Sequence, residues 1–108
     1  MKAISIKEPW ASMILSGVKK IETRTWQTPF RGKILLCASK TPKSKISGYA
    51  FAIAELVDIQ PMTKAHEKSA CCEVYPGAYS WFLNDIRPLL TAFEVKGKLG
   101  LFDVKVQK

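Results

Sequence analysis

Three charged residues near the N-terminus, Lys19, Glu22 and Arg24, have side chains suited to binding a nucleic acid or transferring protons. Lys19 offers a compact cation for a phosphate and is also a candidate base. Ionised Glu22 only accepts hydrogen bonds, which suits the exocyclic amine of cytosine or adenine. Arg24 offers a planar fork for a phosphate or a base. The alternative is a surface ion pair between Glu22 and Arg24, worth at most about 1 kcal/mol.

Four aromatic residues are candidate platforms on which nucleobases stack, each worth about 1–3 kcal/mol. They are Trp10, Trp26, Tyr79 and Trp81. For Trp10, packing in the core is favoured over stacking on a ligand. Tyr79 and Trp81 are two residues apart and share one face of a strand, so we expect at least one of them to lie in the core.

Basic residues are concentrated in the N-terminal part of the chain. The 108 residues include 17 Lys and Arg against nine Asp and Glu, a formal net charge of +8. Residues 1–48 hold ten basic and two acidic side chains, whereas residues 49–108 hold seven of each. This asymmetry favours an anionic partner. Lys40, Lys43 and Lys45 would then contact a nucleic-acid backbone, or else be solvated loop charges.

The cysteine and histidine content argues against a metal site. Cys37, Cys71 and Cys72 lack the spacing of a disulfide framework or a zinc knuckle, and His66 is the only histidine. An odd number of cysteines fits a reducing compartment. No run of residues approaches the roughly 20 apolar residues of a membrane-spanning helix. We therefore expect a cytoplasmic protein with no metal, no cofactor and no membrane partner.

The candidate site must be positioned by the elements that surround it. Lys2–Ile6 alternates in polarity, as a half-buried strand does. Glu8-Pro9 suits the start of a short helix and Gly17 suits the position just past its end. Helical spacing predicts that the inward face of this helix carries four apolar residues. They are Trp10, Met13, Ile14 and Val18.

Residues 19–26 alternate in polarity and are predicted to form a strand. Alternation places two sets of side chains on opposite faces. They are Ile21, Thr23 and Thr25 on one face, and Lys20, Glu22, Arg24 and Trp26 on the other. Lys19 then shares a cleft with Glu22 only if it lies in the turn before the strand.

The rest of the chain predicts further short strands and a few helical turns. The predicted segments are a central strand Lys33–Ala38, a mobile basic loop 39–48, a strand Tyr49–Ile59, one or two helical turns in 62–72, a strand Ala78–Leu83, an interruption at Arg87-Pro88, and strands Phe93–Val95 and Leu99–Val106. Five to seven strands with one secure helix favour an α+β fold, a small closed or nearly closed barrel with helices at its ends. We expect residues 1–108 to form a single domain.

The sequence resembles the ASCH family, a branch of the PUA-like superfold. The likeness is carried by ISIKEPWASMILSGVKKIETRTW (4–26) with TPFRGKILLCASK (28–40), then GAYSW (77–81), RPL (87–89) and KGKLGLF (96–102). Its most diagnostic part is Gly17-x-Lys19-x-x-Glu22-x-Arg24. The resemblance implies a PUA-like small β-barrel of five to six strands with one or more short helices. It also implies a cleft lined by the first helix and the Lys–Glu–Arg strand, with a role in RNA binding, RNA processing or translation-linked regulation.

Some members of the family are enzymes. The resemblance therefore implies an enzymatic function as an alternative for this chain. They are ribonucleases, or amidohydrolases that deacylate N4-acetylcytidine with a lysine, a threonine and a glutamate. The lysine matches Lys19, but Glu22 stands in the place of the threonine. Thr23 lies one residue further on and would point to the opposite face of a strand. Many relatives carry a histidine where this chain has Cys37, which we expect to behave as a small buried hydrophobe.

We therefore predict a binding module for RNA, for single-stranded nucleic acid or for a modified nucleoside. The predicted binding residues are Trp10, Lys19, Glu22, Arg24, Trp26, Lys40, Tyr79 and Trp81. The alternative is a hydrolase acting on RNA or on N4-acetylcytidine, in which Lys19 is the base and Glu22 positions the amine or relays a proton. A third hypothesis, a protein–protein adaptor, requires an exposed apolar patch that the sequence does not identify.

Overall fold

The computed structural model describes residues 1–106 and contains six strands, two short helices and one 3₁₀ turn. In chain order they are β1 (Lys2–Ile6), α1 (Trp10–Leu15), β2 (Ile21–Arg24), β3 (Gly32–Ala38), β4 (Tyr49–Pro61), the 3₁₀ turn (Lys64–His66), α2 (Glu67–Ala70), β5 (Tyr79–Glu94) and β6 (Phe102–Asp103). The α+β class and the number of strands predicted from the sequence are confirmed. The helical turns predicted within 62–72 are also present.

The six strands form one sheet in the order β2-β5-β4-β3-β1-β6. Strands β1 and β3 are parallel, and the other neighbouring strands are antiparallel. Backbone pairing does not close the sheet, because β2 and β6 are its edges. Arg24 at the end of β2 nevertheless donates a hydrogen bond to the carbonyl oxygen of Ser5 in β1, at 2.7 Å. The sheet is therefore barrel-like, and a side chain links two strands that are far apart in its order.

Strand β3 forms the centre of the core, as its continuous apolar run predicts. Ile34 and Leu36 are fully buried in one apolar cluster, whereas Leu35 and Cys37 lie in another on the opposite face. Because Cys37 is buried, the pKa of its thiol is raised to about 12. Cys37 therefore remains a neutral thiol and behaves as the small hydrophobe that was predicted.

Helix α1 is shorter than the sequence pattern suggests, and its apolar residues do not all point inward. Ile14 is buried in the core, but 61% of Val18 is exposed to solvent. The inward prediction for Val18 was wrong because α1 ends at Leu15 and the chain turns at Gly17, which has a φ of +87°. Helical spacing no longer applies beyond that point.

Strand β5 continues through Arg87-Pro88, where the sequence predicted an interruption. Strand β2 pairs only with Tyr79–Phe82, so the rest of β5 has β4 as its neighbour on one side only. Proline lacks an N–H group and is tolerated in a strand that lies at a sheet edge. Phe93 and Glu94 are accordingly the end of β5, not a separate strand.

The last predicted strand, Leu99–Val106, was too long. Only Phe102–Asp103 is a strand, and it pairs with Lys2 and Ala3 of β1. Residues 96–101 form an irregular segment instead. This difference matters for the site, because that segment borders the pocket described below.

Glu8 connects the end of β1 to helix α1, and it supports a prediction about pH. Its carboxylate accepts hydrogen bonds from the amide of Ser12 at 2.7 Å and from the Ser12 hydroxyl at 2.6 Å. Burial acts to raise the pKa of Glu8, but hydrogen bonds from Ser12 and Ser44 outweigh it and hold that pKa below its ordinary value. Glu8 is therefore preferentially ionised in the folded protein.

We expect Glu8→Gln to lower the free energy of unfolding by about 1–2 kcal/mol at pH 7, because the charged acceptor is lost. A lowered pKa contributes stability that is present above the unfolded-state value of about 4.3 and is lost as the pH falls through the folded-state value. Urea denaturation of wild type and variant should therefore show a gap at pH 7 that narrows below about pH 4. Glu94→Gln, at an exposed position, is the control. A gap as wide at pH 3 as at pH 7 contradicts this prediction.

Candidate functional site

A pocket of about 600 Å³ opens where the end of β1, the start of α1 and strand β2 meet, and we call it the main pocket. Residues 98–100 of the irregular segment and residues after α2 complete its wall. Five of the predicted site residues line the main pocket. They are Trp10, Lys19, Glu22, Arg24 and Trp26. The structure therefore brings together five side chains that are spread along a stretch of 17 residues, from Trp10 to Trp26.

Glu22 lies between two cations on the wall of the main pocket. Its Oε1 is 3.7 Å from Nζ of Lys19, and its Oε2 accepts hydrogen bonds from Arg24 at 2.8 and 3.2 Å. The side chain of Lys19 is 1% exposed and that of Glu22 is 10% exposed. Together these groups carry one net positive charge. If one of these side chains moved away, it would leave a buried charge without a partner, which is energetically costly. The three side chains therefore hold one another in position.

Lys19 reaches the pocket because it precedes β2, which begins at Ile21. From the sequence, Lys19 and Glu22 were predicted to share a cleft only if Lys19 lies before the strand, and the structure meets this condition. The ammonium group donates a hydrogen bond to the carbonyl oxygen of Ala70, at the end of α2. The backbone amide of Lys20 also donates to the carbonyl oxygen of Ser69, at 2.8 Å. Helix α2 thus fixes the Lys19 side chain against the sheet edge.

The main pocket has hydrogen-bonding capacity left for a ligand. Lys19 has three N–H donors, and its acceptors within residues 1–106 are the Ala70 carbonyl and the Glu22 carboxylate. Arg24 uses Nε and Nη2 for Glu22 and Ser5, whereas its Nη1 has no partner in the described part of the chain. A carboxylate also has lone pairs beyond those that the two cations use. The pocket wall therefore offers the Arg24 donor beside the Glu22 acceptor, whereas Lys19, with 1% of its side chain exposed, holds the carboxylate from behind.

Two of the three tryptophans line the main pocket. Trp10 is 36% exposed, so the core position favoured from the sequence was wrong. Trp26 lies edge-on to Trp81, with ring centroids 4.9 Å apart. Trp81 is only 1% exposed and donates a hydrogen bond from Nε1 to the Trp26 carbonyl oxygen at 3.3 Å. Trp81 therefore lies in the core, as was expected of at least one of Tyr79 and Trp81, and the stacking role also predicted for it is wrong. It supports Trp26 from behind.

Lys40 and Tyr79 lie outside the main pocket. Tyr79 is half-buried, packs against the core and pairs with Arg24 across β2 and β5. Lys40 is exposed and lines a neighbouring pocket. The other two loop lysines, Lys43 and Lys45, are exposed within residues 39–48, which have no helix or strand, as predicted.

Several residues of the main pocket were missed from the sequence. Tyr75 donates a hydrogen bond from its hydroxyl to Thr23 Oγ1 at 2.9 Å, and Cys72 Sγ lies 3.9 Å from the same oxygen. The sequence placed Thr23 on the face of β2 away from Glu22. Both Glu22 and Thr23 nevertheless border the main pocket, on a strand that is an edge of the sheet. Lys98 is a further missed residue, although it lies in the KGKLGLF segment that the resemblance includes.

Within residues 1–106, no three His, Cys, Asp or Glu side chains cluster as a metal site requires. None of the helices that the structure describes has the length and apolar character needed to span a membrane.

Three comparisons place the chain among known proteins. A family model described as the ASCH domain matches residues 4–93. A stretch of 36 residues, 33% of this chain, is 42% identical to activating signal cointegrator 1 of Homo sapiens and, equally, of Mus musculus. That stretch spans only 6% of the length of those proteins.

The fold is also found in solved structures. The crystal structure of ASCH from Zymomonas mobilis matches with a TM-score of 0.74 at 18% identity, covering 96% of this chain and 87% of that chain. A crystal structure of a mutant of the same protein matches with a TM-score of 0.72 at 18% identity, covering 96% and 89%. At this level of identity the likeness shows a shared fold.

Proposed function

The chain belongs to the ASCH domain family, and we propose that its main pocket binds single-stranded RNA by accepting one unstacked base. The observation that carries this proposal is the Lys19–Glu22–Arg24 cluster, which places an acceptor beside a donor inside a pocket with tryptophans on its wall. The volume of about 600 Å³ is within the range of small-ligand pockets. A single base or nucleoside is a ligand of suitable size.

The order of donors and acceptors favours a base with an exocyclic amine. Glu22 would accept a hydrogen bond from the amine, and Nη1 of Arg24 would donate to a ring nitrogen or carbonyl acceptor beside it. Lys19, whose side chain is 1% exposed, would hold the Glu22 carboxylate in place behind this contact. Cytosine and adenine carry such an amine. Uracil would instead place a carbonyl oxygen against the Glu22 carboxylate, which is unfavourable.

Aromatic and basic groups around the cluster would supply sequence-independent affinity. Trp10 and Trp26 line the main pocket and offer indole faces or edges to a base. Lys7 and Lys98 also line it and are exposed to solvent. The formal net charge of +8 favours encounter with a polyanion. The three cysteines are free thiols, which supports our expectation that the protein acts in a reducing compartment such as the cytoplasm.

The proposal is tested with fluorescently labelled oligocytidylate, oligoadenylate and oligouridylate of equal length, measured by fluorescence anisotropy. We expect the amine-bearing oligomers to bind more tightly than oligouridylate by about 1–3 kcal/mol, the usual range for a good base contact. We also expect affinity to fall steeply with salt, because binding releases counterions from the phosphates. Trp10→Ala should weaken binding of every oligomer by about 1–3 kcal/mol, because the stacking surface is removed.

Leu90→Ala is the matched control for Trp10→Ala, since Leu90 is a fully exposed apolar residue on β5 that borders neither pocket. Absence of binding by wild type at low salt, or an affinity that does not change with salt, contradicts the proposal.

A second candidate, hydrolysis of an acylated cytidine or of RNA, is favoured by one observation. The hydroxyl of Thr23, which the sequence assigned to the opposite face, borders the same pocket as the Lys19–Glu22 pair. An amine, a carboxylate and a hydroxyl are thus available in one pocket for proton transfer. Incubation with N4-acetylcytidine and, separately, with oligocytidylate tests this candidate: release of acetate or shortening of the oligomer supports it, and no change in either substrate contradicts it.

A further inference from the structure

A second pocket of about 460 Å³ lies beside the main pocket, and we call it the lysine pocket. The two pockets share Ser5, Ser39, Lys98 and Leu99 on their common border. A ligand that occupies the main pocket therefore needs only to cross this border to reach the other one.

The lining of the lysine pocket differs in chemistry from that of the main pocket. Lys40, Lys96 and Lys98 line it, and none of the residues that form its wall is acidic or aromatic. All three lysines are exposed, and none forms an ion pair within residues 1–106. Three like charges around one pocket repel one another, and a bound anion would relieve that repulsion. The pocket offers no aromatic surface on which a base could stack.

We propose that the lysine pocket binds the phosphodiester next to the base held in the main pocket, so that the ligand is a strand of at least two nucleotides. This inference rests on the proposed function. The main pocket, with its aromatic residues and carboxylate, would select the base, and the lysine pocket would hold the charged backbone. A free nucleoside has no group to place among the three lysines.

The irregular segment contributes Lys98 and Leu99 to the border between the pockets, and Gly97 allows it to approach β1 closely. A Cβ atom added to Gly97 would lie 2.8 Å from Oγ of Ser5, so a larger residue would push the segment away from the strand. Leu99 follows and is 99% exposed, although it borders both pockets. A fully exposed leucine at this position would pack against the sugar that connects the base to its phosphate.

The test compares ligands with and without the phosphodiester. Affinities for cytidine, for 3′- and 5′-cytidine monophosphate and for the dinucleotide CpC are measured by calorimetry with wild type and with Lys40→Gln/Lys96→Gln. These two lysines border only the lysine pocket. The matched control is Lys20→Gln/Lys64→Gln, which removes the same charge from exposed positions that line neither pocket.

We expect wild type to bind CpC about tenfold more tightly than cytidine, and one of the two monophosphates to approach CpC in affinity. Lys40→Gln/Lys96→Gln should weaken CpC binding about five- to tenfold and leave cytidine binding within about twofold, since only CpC carries a phosphate for these two exposed lysines to contact. The salt dependence of longer oligocytidylate should also become shallower, by about 0.7 in the logarithmic slope for each phosphate that the variant no longer neutralises.

Two outcomes overturn the inference and are distinguishable from failure of the proposed function. An equal decrease of CpC affinity in the Lys20/Lys64 control assigns the effect to overall charge, and equal affinity of wild type for cytidine and CpC removes the role of the phosphodiester. In both cases the main pocket still binds a base. Absence of binding to every nucleoside and oligonucleotide contradicts the proposed function itself.

Discussion

Replacement of Glu22 by alanine is expected to lower the free energy of unfolding by about 3–5 kcal/mol, the usual cost of removing one partner from a buried ion pair. The variant leaves the ammonium group of Lys19, whose side chain is 1% exposed, with the Ala70 carbonyl as its acceptor in the described part of the chain. Arg24 also loses two hydrogen bonds and keeps the one to Ser5. Urea denaturation monitored by tryptophan fluorescence measures the change.

The double variant Lys19→Met/Glu22→Ala separates the effect of an uncompensated charge from the effect of removing hydrogen bonds. Methionine fills much of the same space but carries no charge, so the double variant should be more stable than Glu22→Ala alone. Such non-additivity is expected when two residues interact directly. Glu73→Ala is the matched control, because it removes the same charge from an exposed position and should change stability by less than about 0.5 kcal/mol. Equal stability of Glu22→Ala and Glu73→Ala contradicts the prediction.

The Lys19–Glu22–Arg24 cluster could be predicted from the sequence because its members are close together along the chain. Alternation in a strand places Glu22 and Arg24 on one face, and the structure shows their side chains in contact. The position of Lys19 was settled by where β2 begins, at Ile21. Helix and strand boundaries depend on tertiary contacts, here the hydrogen bonds to Ser69 and Ala70 of α2, which local pattern does not encode.

The rest of the site is formed by segments distant in sequence. Tyr75 follows α2 and Lys98 precedes β6, and both border the main pocket although β2 and β6 are opposite edges of the sheet. The sheet curls enough for Arg24 of β2 to donate a hydrogen bond to Ser5 of β1. Trp81 is the opposite case, a residue that the sequence predicted in the site but that lies outside it. Its type and spacing suit either stacking or core packing, and only the burial created by several strands together places it in the core. Residue pattern therefore predicted the polar centre of the site but not its border.

The length of β5 was underestimated for a related physical reason. A proline in the sequence argues against a central strand, but the structure leaves one side of this part of β5 without a neighbouring strand. Which strand lies at an edge is a property of the sheet order, which is determined by contacts between distant residues. The same holds for the irregular segment 96–101, whose apolar Leu99 suggested a strand but lies fully exposed between two pockets.

Lys19→Met is expected to weaken binding of single-stranded RNA by about 2–5 kcal/mol, because it removes the buried cation that holds the Glu22 carboxylate in position for the base. The protein should remain folded, since Glu22 keeps its hydrogen bonds to Arg24 and removal of the donor to Ala70 costs about 1–3 kcal/mol. If the pocket also hydrolyses N4-acetylcytidine, the same variant should abolish turnover, because Lys19 is the candidate base. Anisotropy with oligocytidylate and chromatographic detection of cytidine measure the two effects.

Lys20→Met is the control that makes the Lys19 result specific. Lys20 is the next residue, is exposed and lines neither pocket, yet its replacement changes the net charge by the same amount. Long-range attraction of RNA should therefore fall equally in the two variants, and only the contact inside the main pocket should differ. A decrease of affinity confined to Lys19→Met assigns base binding to the buried Lys19–Glu22 pair. Equal and small decreases in both variants would instead assign RNA binding to the general positive charge of the surface and contradict a base-binding role for the main pocket.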